Sequence, residues 1–225
     1  MAKRKVDPKN DETILDIVEA RDNIQDYIND NKGLIIGLIA ALLLLVAGYF
    51  VWKYAIVAPR ETAAIEQISK AQEQFAKDSF ALALTNPGAG FEGFVDIAEN
   101  YGGTATANTA KYYAGVSYLN LGRYEDALEY LSSVKAKGDI LPVMKHGNLG
   151  DVHSELGAMD KAQSSYKKAI NTSENAYLKP YYMNKLALLH MKEGRTTDAQ
   201  KLFAEIKADY PESSVAQEVD KFLIK

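Results

Sequence analysis

Only three residues in this chain have side chains suited to acid–base or metal chemistry near neutral pH: His146, His153 and His190. His146 and His153 lie seven apart, two turns of one helix, and a third ligand or a paired carboxylate at matching spacing would be needed to build a site. No HExxH, no GxSxG and no phosphate-cradling glycine loop is present. The chain has no cysteine, so neither thiolate chemistry nor a disulfide is available. A net charge of −4 argues against a nucleic-acid surface, which needs a basic stripe. The histidines are therefore expected to pack inside a helical framework. No catalytic residue, metal ligand or cofactor is assigned, and a non-enzyme is expected.

The framework is legible as a repeat. Gly122-Arg-Tyr-Glu-Asp-Ala127-Leu128 matches Gly157-Ala-Met-Asp-Lys-Ala162-Gln163 and Gly194-Arg-Thr-Thr-Asp-Ala199-Gln200. The glycines are 35 and 37 residues apart, close to the period of about 34 of a tetratricopeptide repeat, which this pattern resembles. Ahead of each glycine come Ala114, Gly115 and Tyr118, then Leu149, Gly150 and His153, then Leu186, Ala187 and His190. Behind each alanine come Leu131 and Val134, Tyr166 and Ala169, Phe203 and Ile206, and the last unit closes on Tyr210-Pro211. The small residue lets two helices cross closely, the glycine turns the chain, and the large apolar residue fills the gap to the next unit. His153 and His190 thus fall at a position that packs between repeats.

These observations predict an all-α chain in which a single transmembrane helix precedes a tetratricopeptide-repeat solenoid. Repeats are expected at about 108–141, 143–176 and 180–213, after a worn first repeat at about 60–102 and before a capping helix at 212–225. In the worn repeat, residues 58–84 read as one long helix, Asn86-Pro87-Gly88 as a turn, and Phe91, Phe94, Val95, Ile97 and Ala98 as the second helix.

In the repeat register, the first helix of each unit offers one face to a groove: Tyr112, Val116, Leu119 and Asn120, then Met144, Asp151 and Glu155, then Tyr181, Asn184, Leu188 and Met191. That face reads as apolar and aromatic with two asparagines, suited to a hydrophobic segment of a partner. Alternatively, the N-terminal helix or the cap covers part of it. The resemblance to the tetratricopeptide family also shows what is missing, namely the lysine, asparagine and arginine clamp with which co-chaperones hold a terminal carboxylate.

Ahead of the solenoid, Gly33 to Trp52 is an uncharged run of twenty residues, long enough for a hydrocarbon core of about 30 Å. It ends in Tyr49, Phe50, Trp52, Lys53 and Tyr54, an interfacial belt and not a cleavage site. Lys3, Arg4, Lys5, Lys9, Arg21 and Lys32 precede it, against Lys53, Arg60 and Lys70 after it, so the N-terminus is expected in the cytoplasm. The expected organisation is a cytoplasmic tail over 1–32, an anchor over 33–54 and an extracytoplasmic domain over 55–225. Gly33, Gly37 and Ala41 place small residues on one face, where another membrane helix could approach. In the tail, Thr13 to Asp16 has capping-box form, and Ile14, Ile17, Val18, Ile24 and Ile28 make an apolar stripe opposite Asp16, Glu19, Asp22 and Asp26. That helix either meets a protein or lies at the interface.

The layout of acidic tail, Asn31-Lys32-Gly33 entering the anchor, Trp52-Lys53-Tyr54 leaving it and a short repeat domain resembles the YfgM family of bacterial inner-membrane proteins. The stretch from Asn100-Tyr101 to Pro211-Glu-Ser is also similar to membrane-anchored repeat proteins of Bacteroidota. The YfgM resemblance implies a single-pass inner-membrane protein facing the periplasm, an ancillary subunit of the SecYEG translocon. It further implies association with a PpiD-like membrane-anchored chaperone, and the repeat domain is then expected to hold that chaperone or a nascent secretory chain near the channel exit. The alternative is a homo-oligomeric adaptor in another envelope complex, joined through the small-residue face.

Overall fold

The computed structural model describes Arg21, Gln25 and residues 27–172 and 174–223. The capping box at Thr13, the stripe residues Ile14, Ile17, Val18 and Ile24, and the acids Asp16, Glu19, Asp22 and Asp26 lie outside the described residues; Ile28, the last member of that stripe, is exposed. No strand occurs among the described residues. The chain divides into two units, Met1–Ile56 and Val57–Lys225.

In the first unit, helix α1 (Lys32–Val51) buries none of its residues. Its sequence is apolar on every side, so no face is reserved for a protein core. It is the one helix among the described residues long and apolar enough to cross a membrane. A π-helical stretch follows at Trp52–Val57, and Phe50 stacks on Tyr54 with ring centroids 6.0 Å apart.

The second unit opens with α2 (Ala58–Ala76), α3 (Phe80–Thr85) and α4 (Phe94–Asn100). The single helix expected over 58–84 is broken. Asp78 adopts φ 55°, and the Ser79 N–H reaches back to the Gln74 carbonyl at 2.9 Å. This is a Schellman ending, and an aspartate tolerates the left-handed conformation it needs. The broken end lets Phe80 fold onto Phe75, rings 5.3 Å apart. Phe91 falls outside the second helix, which starts only at Phe94. The cap there is Gly93, where a Cβ would stand 2.2 Å from the Leu84 carbonyl oxygen.

Three helix pairs follow: α5 (Ala105–Asn120) with α6 (Tyr124–Ser133), α7 (Leu141–Glu155) with α8 (Met159–Thr172), and α9 (Leu178–Lys192) with α10 (Thr196–Asp209). One device turns each pair. Gly122, Gly157 and Gly194 have φ of 72°, 72° and 75°. The next residue's N–H returns five positions to Tyr118, His153 or His190, at 2.9, 2.8 and 2.8 Å. The recurring glycine is therefore the left-handed residue of a Schellman motif.

The core is chained along the stack, as in a solenoid. One apolar cluster joins α2 to α7 around Phe94, Ile97 and Leu131. A second joins α7, α8 and α9 around Val143, Tyr166 and Tyr182. A third joins α9, α10 and the C-terminal turns around Met183, Phe203 and Val219. In place of one capping helix over 212–225, the end is a short α11 (Ser214–Glu218) and a 3-10 turn over Val219–Phe222. It is held by Phe222 stacked on Phe203 at 5.1 Å and by a Lys207–Asp220 ion pair at 2.6 Å.

Candidate functional site: a cleft between the first helices of the repeats

A cleft of about 390 Å³ opens between α5, α7 and α9, with Leu119, Asp151, Ser154, Glu155, Lys185, Leu188 and Lys192 among its lining. The helices come close because small residues stand where they touch. A Cβ at Gly147 would meet the Tyr182 ring, one at Gly150 the Tyr166 ring and one at Gly115 the Leu131 side chain, all under 3.0 Å. Close approach carries Tyr166 from α8 to the cleft floor, where its hydroxyl donates to Asp151 at 2.6 Å. Lys185 of α9 crosses to the same Asp151 oxygen at 2.7 Å.

The cleft is therefore polar at its centre, which corrects the apolar, aromatic groove expected from the sequence. Burial opposes the Lys185 charge, but the Asp151 carboxylate and the Tyr181 hydroxyl hold its ammonium above the usual lysine value. The Tyr166 phenol is pushed up by burial and then by Asp151. Neither group is poised for proton transfer at neutral pH; together they form a fixed ionic rung between two repeats. Apolar side chains flank the rung.

The expected groove residues divide. Leu119 and Leu188 line the cleft. Tyr181, Leu188 and Met191 are exposed along α9, while Val116 and Met144 are half-buried against the core. Asn120 is exposed, but its amide donates to the Val116 carbonyl of its own helix at 2.8 Å. Asn184 is half-buried, and its side-chain oxygen has no hydrogen-bond partner among the described residues. Tyr112 is buried, its hydroxyl accepts from Asn148 at 2.9 Å, and burial raises its phenol to about 12. It belongs to the packing between repeats and not to an open surface. Lys185 and Lys192 escaped the sequence reading. The signal was available, because Lys185 sits four residues after Tyr181 and three before Leu188, on the same helical face.

Gly33, Gly37 and Ala41 are exposed on α1, and a Cβ at either glycine would meet nothing within 4 Å. His146 and His153 are half-buried and His190 is buried. Two of the Arg195 guanidinium nitrogens contact His190. Burial lowers the affinity of all three imidazoles for a proton. Among the described residues, no group of three or more His, Asp or Glu side chains is placed to hold a metal ion.

Family models of the tetratricopeptide repeat match three stretches, residues 109–137, 146–175 and 184–213. Each covers one helix pair of the α5–α10 array. A search of curated proteins finds no match to the chain. The chain thus carries three tetratricopeptide repeats, a module that mediates protein–protein interaction and is typically non-catalytic.

Proposed function

We propose, starting from these three repeats and from the one membrane-spanning candidate among the described residues, that the protein is an anchored scaffold working beside the Sec translocon. Its N-terminus is cytoplasmic, its repeat domain is periplasmic, and its partners are SecYEG, a PpiD-like membrane-anchored chaperone and emerging secretory chains. The observation that carries the scaffold reading is the cleft between α5, α7 and α9. Half-buried Leu119 and exposed Leu188 flank the Asp151–Lys185 rung, so an occupying segment finds apolar contacts beside a fixed pair of charges. The translocon reading rests on the resemblance of the tail, the anchor and its flanks to the YfgM family. Tethering suits a modest cleft, because it converts a weak interaction into one of high effective concentration at the channel.

A second reading has its own observation. The face of α1 bearing Gly33, Gly37 and Ala41 is uncovered, and such faces support close helix association. In that reading the protein is a homo-oligomeric adaptor of another envelope complex.

One experiment separates the two. Photo-crosslinking probes at Leu38, Leu119 and Leu188 are activated in native membranes and the adducts identified. Translocon subunits at Leu38, with chaperone or nascent chain at Leu119 and Leu188, support the first reading. Self-adducts at Leu38 with no translocon adduct at any position overturn it in favour of the second.

A further inference from the structure

We propose that the protein carries a second docking surface, away from the cleft between the first helices, which takes a basic proline-rich segment. The site is a pocket of about 200 Å³ between the α8–α9 loop and the turn after α10, walled by Ala176, Tyr177, Tyr210 and Pro211 and rimmed by Asp209 and Glu212. Tyr177 is 79% exposed, the highest value for any large apolar side chain outside α1 and its flanks. A tyrosine left in water at a loop tip gains nothing for the fold, whereas a half-covered aromatic pocket is where a partner's ring or guanidinium finds contact.

Both walls are held before any ligand arrives. The Asn175 side chain accepts from the N–H groups of Tyr177 and Leu178 at 2.9 and 3.0 Å, fixing the loop backbone as an Asx turn. Across the pocket, the Ser213 hydroxyl donates to the Tyr210 carbonyl at 2.8 Å and accepts from the Ala216 N–H at 3.1 Å. A fixed shallow pocket suits a ligand that is also pre-ordered, since little ordering entropy is then lost. Polyproline II is such a ligand, and aromatic-lined pockets are its usual receptor.

Charge selects the rest of the ligand. Asp209 and Glu212 are exposed and form no ion pair among the described residues; the nearby Lys179 is held by Glu174 at 3.2 Å and by the Tyr210 hydroxyl. The rim therefore presents two unneutralised carboxylates. An arginine beside the prolines meets both the carboxylates and the Tyr177 face, which attracts a guanidinium.

The test uses the full chain in nanodiscs of zwitterionic lipid and a fluorescein-labelled peptide, Ala-Pro-Pro-Arg-Pro-Pro-Lys, read by anisotropy against empty nanodiscs. Expected are saturable binding, a loss of about tenfold in affinity for Tyr177→Ala, and a loss of about fivefold for the doubly neutral Asp209→Asn, Glu212→Gln protein. Leu188→Ala, in the other cleft, leaves binding unchanged. A peptide with glutamate in place of arginine and lysine binds at least tenfold more weakly. Any one of three results overturns the proposal: no saturable binding of the basic peptide, equal binding of its acidic counterpart, or loss of binding through Leu188→Ala with Tyr177→Ala silent. The carboxamide pair, exposed and isosteric, guards against misreading a folding defect in Tyr177→Ala. Because the readout does not involve the Leu119–Leu188 cleft or the translocon, its failure leaves the scaffold reading standing.

Discussion

Gly147 and Tyr182 occupy the same small volume from opposite sides: a Cβ on Gly147 would fall 1.9 Å from Tyr182 Cε1 and 2.0 Å from Cζ. Tyr182 is buried and central to the cluster that joins the second repeat to the third. Its ring is buried within that packed cluster, which leaves it little room to step aside. Gly147→Ala is therefore expected to cost about 2–3 kcal/mol, the upper part of the range of core overpacking. Gly157→Ala, strained only by its φ of 72°, is expected to cost about 1 kcal/mol. Thermal unfolding of both proteins followed by circular dichroism checks the order; a Gly147→Ala protein as stable as the parent would show that the two repeats do not approach so closely.

A second contact welds the irregular N-terminal helices to the array. Glu61, in the first turn of α2, accepts from the Ala105 and Thr106 N–H groups at 2.7 and 3.2 Å and from the Thr106 hydroxyl at 2.7 Å. A carboxylate from a distant helix so caps α5 and sits at its positive end. Next to it, Arg60 donates to the Asn100 carbonyl at 2.6 Å. Glu61→Ala is expected to lower stability by about 1–2 kcal/mol. It should also speed amide hydrogen exchange at Ala105 and Thr106 more than at Ala107, whose N–H is held by the Thr104 hydroxyl at 3.0 Å; a general loosening would not make that distinction.

How much of this was legible in the sequence divides along physical lines. The fold was legible because its signals are local. A glycine in left-handed conformation recurs at 122, 157 and 194, and an uncharged run of twenty residues needs no tertiary context to be read. The break at Asp78 was not legible, since an aspartate with positive φ looks like any helix-surface acid until the Gln74 carbonyl is seen to be satisfied by Ser79. The chemistry of the cleft was misread for a related reason. Asp151 is on α7, Lys185 on α9 and Tyr166 on α8, and pairing at 15 and 34 residues' separation leaves no periodic trace. Gly147 carried the missing clue, but its meaning depends on a ring 35 positions later.

The rung yields a third prediction. Asp151→Ala leaves the Tyr166 hydroxyl without its acceptor and the Lys185 ammonium with only the Tyr181 hydroxyl, whereas Lys185→Met leaves Asp151 still bonded to Tyr166. Asp151→Ala should therefore be the more destabilising, about 2 kcal/mol against about 1 kcal/mol. A double-mutant cycle should return a coupling of about 1 kcal/mol, because both side chains keep some solvent contact. Additive single effects in urea unfolding would mean that the pair does not tie the two repeats.

The buried histidine gives the protein a direction of pH dependence. Burial, and then the Arg195 guanidinium, depress the His190 pKa below its ordinary 6.5; Asp198 and Glu193 act against this, and Lys167 of α8 acts with it. Among the described residues, Glu193 is the one carboxylate within 4 Å of the ring, at 3.9 Å from Nδ1. The unfolded chain thus takes up its proton at a higher pH than the folded chain does. Across the window from just above 6.5 down through the depressed folded value, the unfolded state binds more protons, so stability is complete above that window and falls as pH drops. His146 and His153 are shifted the same way by burial and by neighbouring lysines. The melting temperature is therefore expected to fall between pH 7.5 and 5. His190→Gln should remove part of that slope, and the triple glutamine variant more of it. A slope unchanged by the triple variant would assign the acid sensitivity to the carboxylates instead.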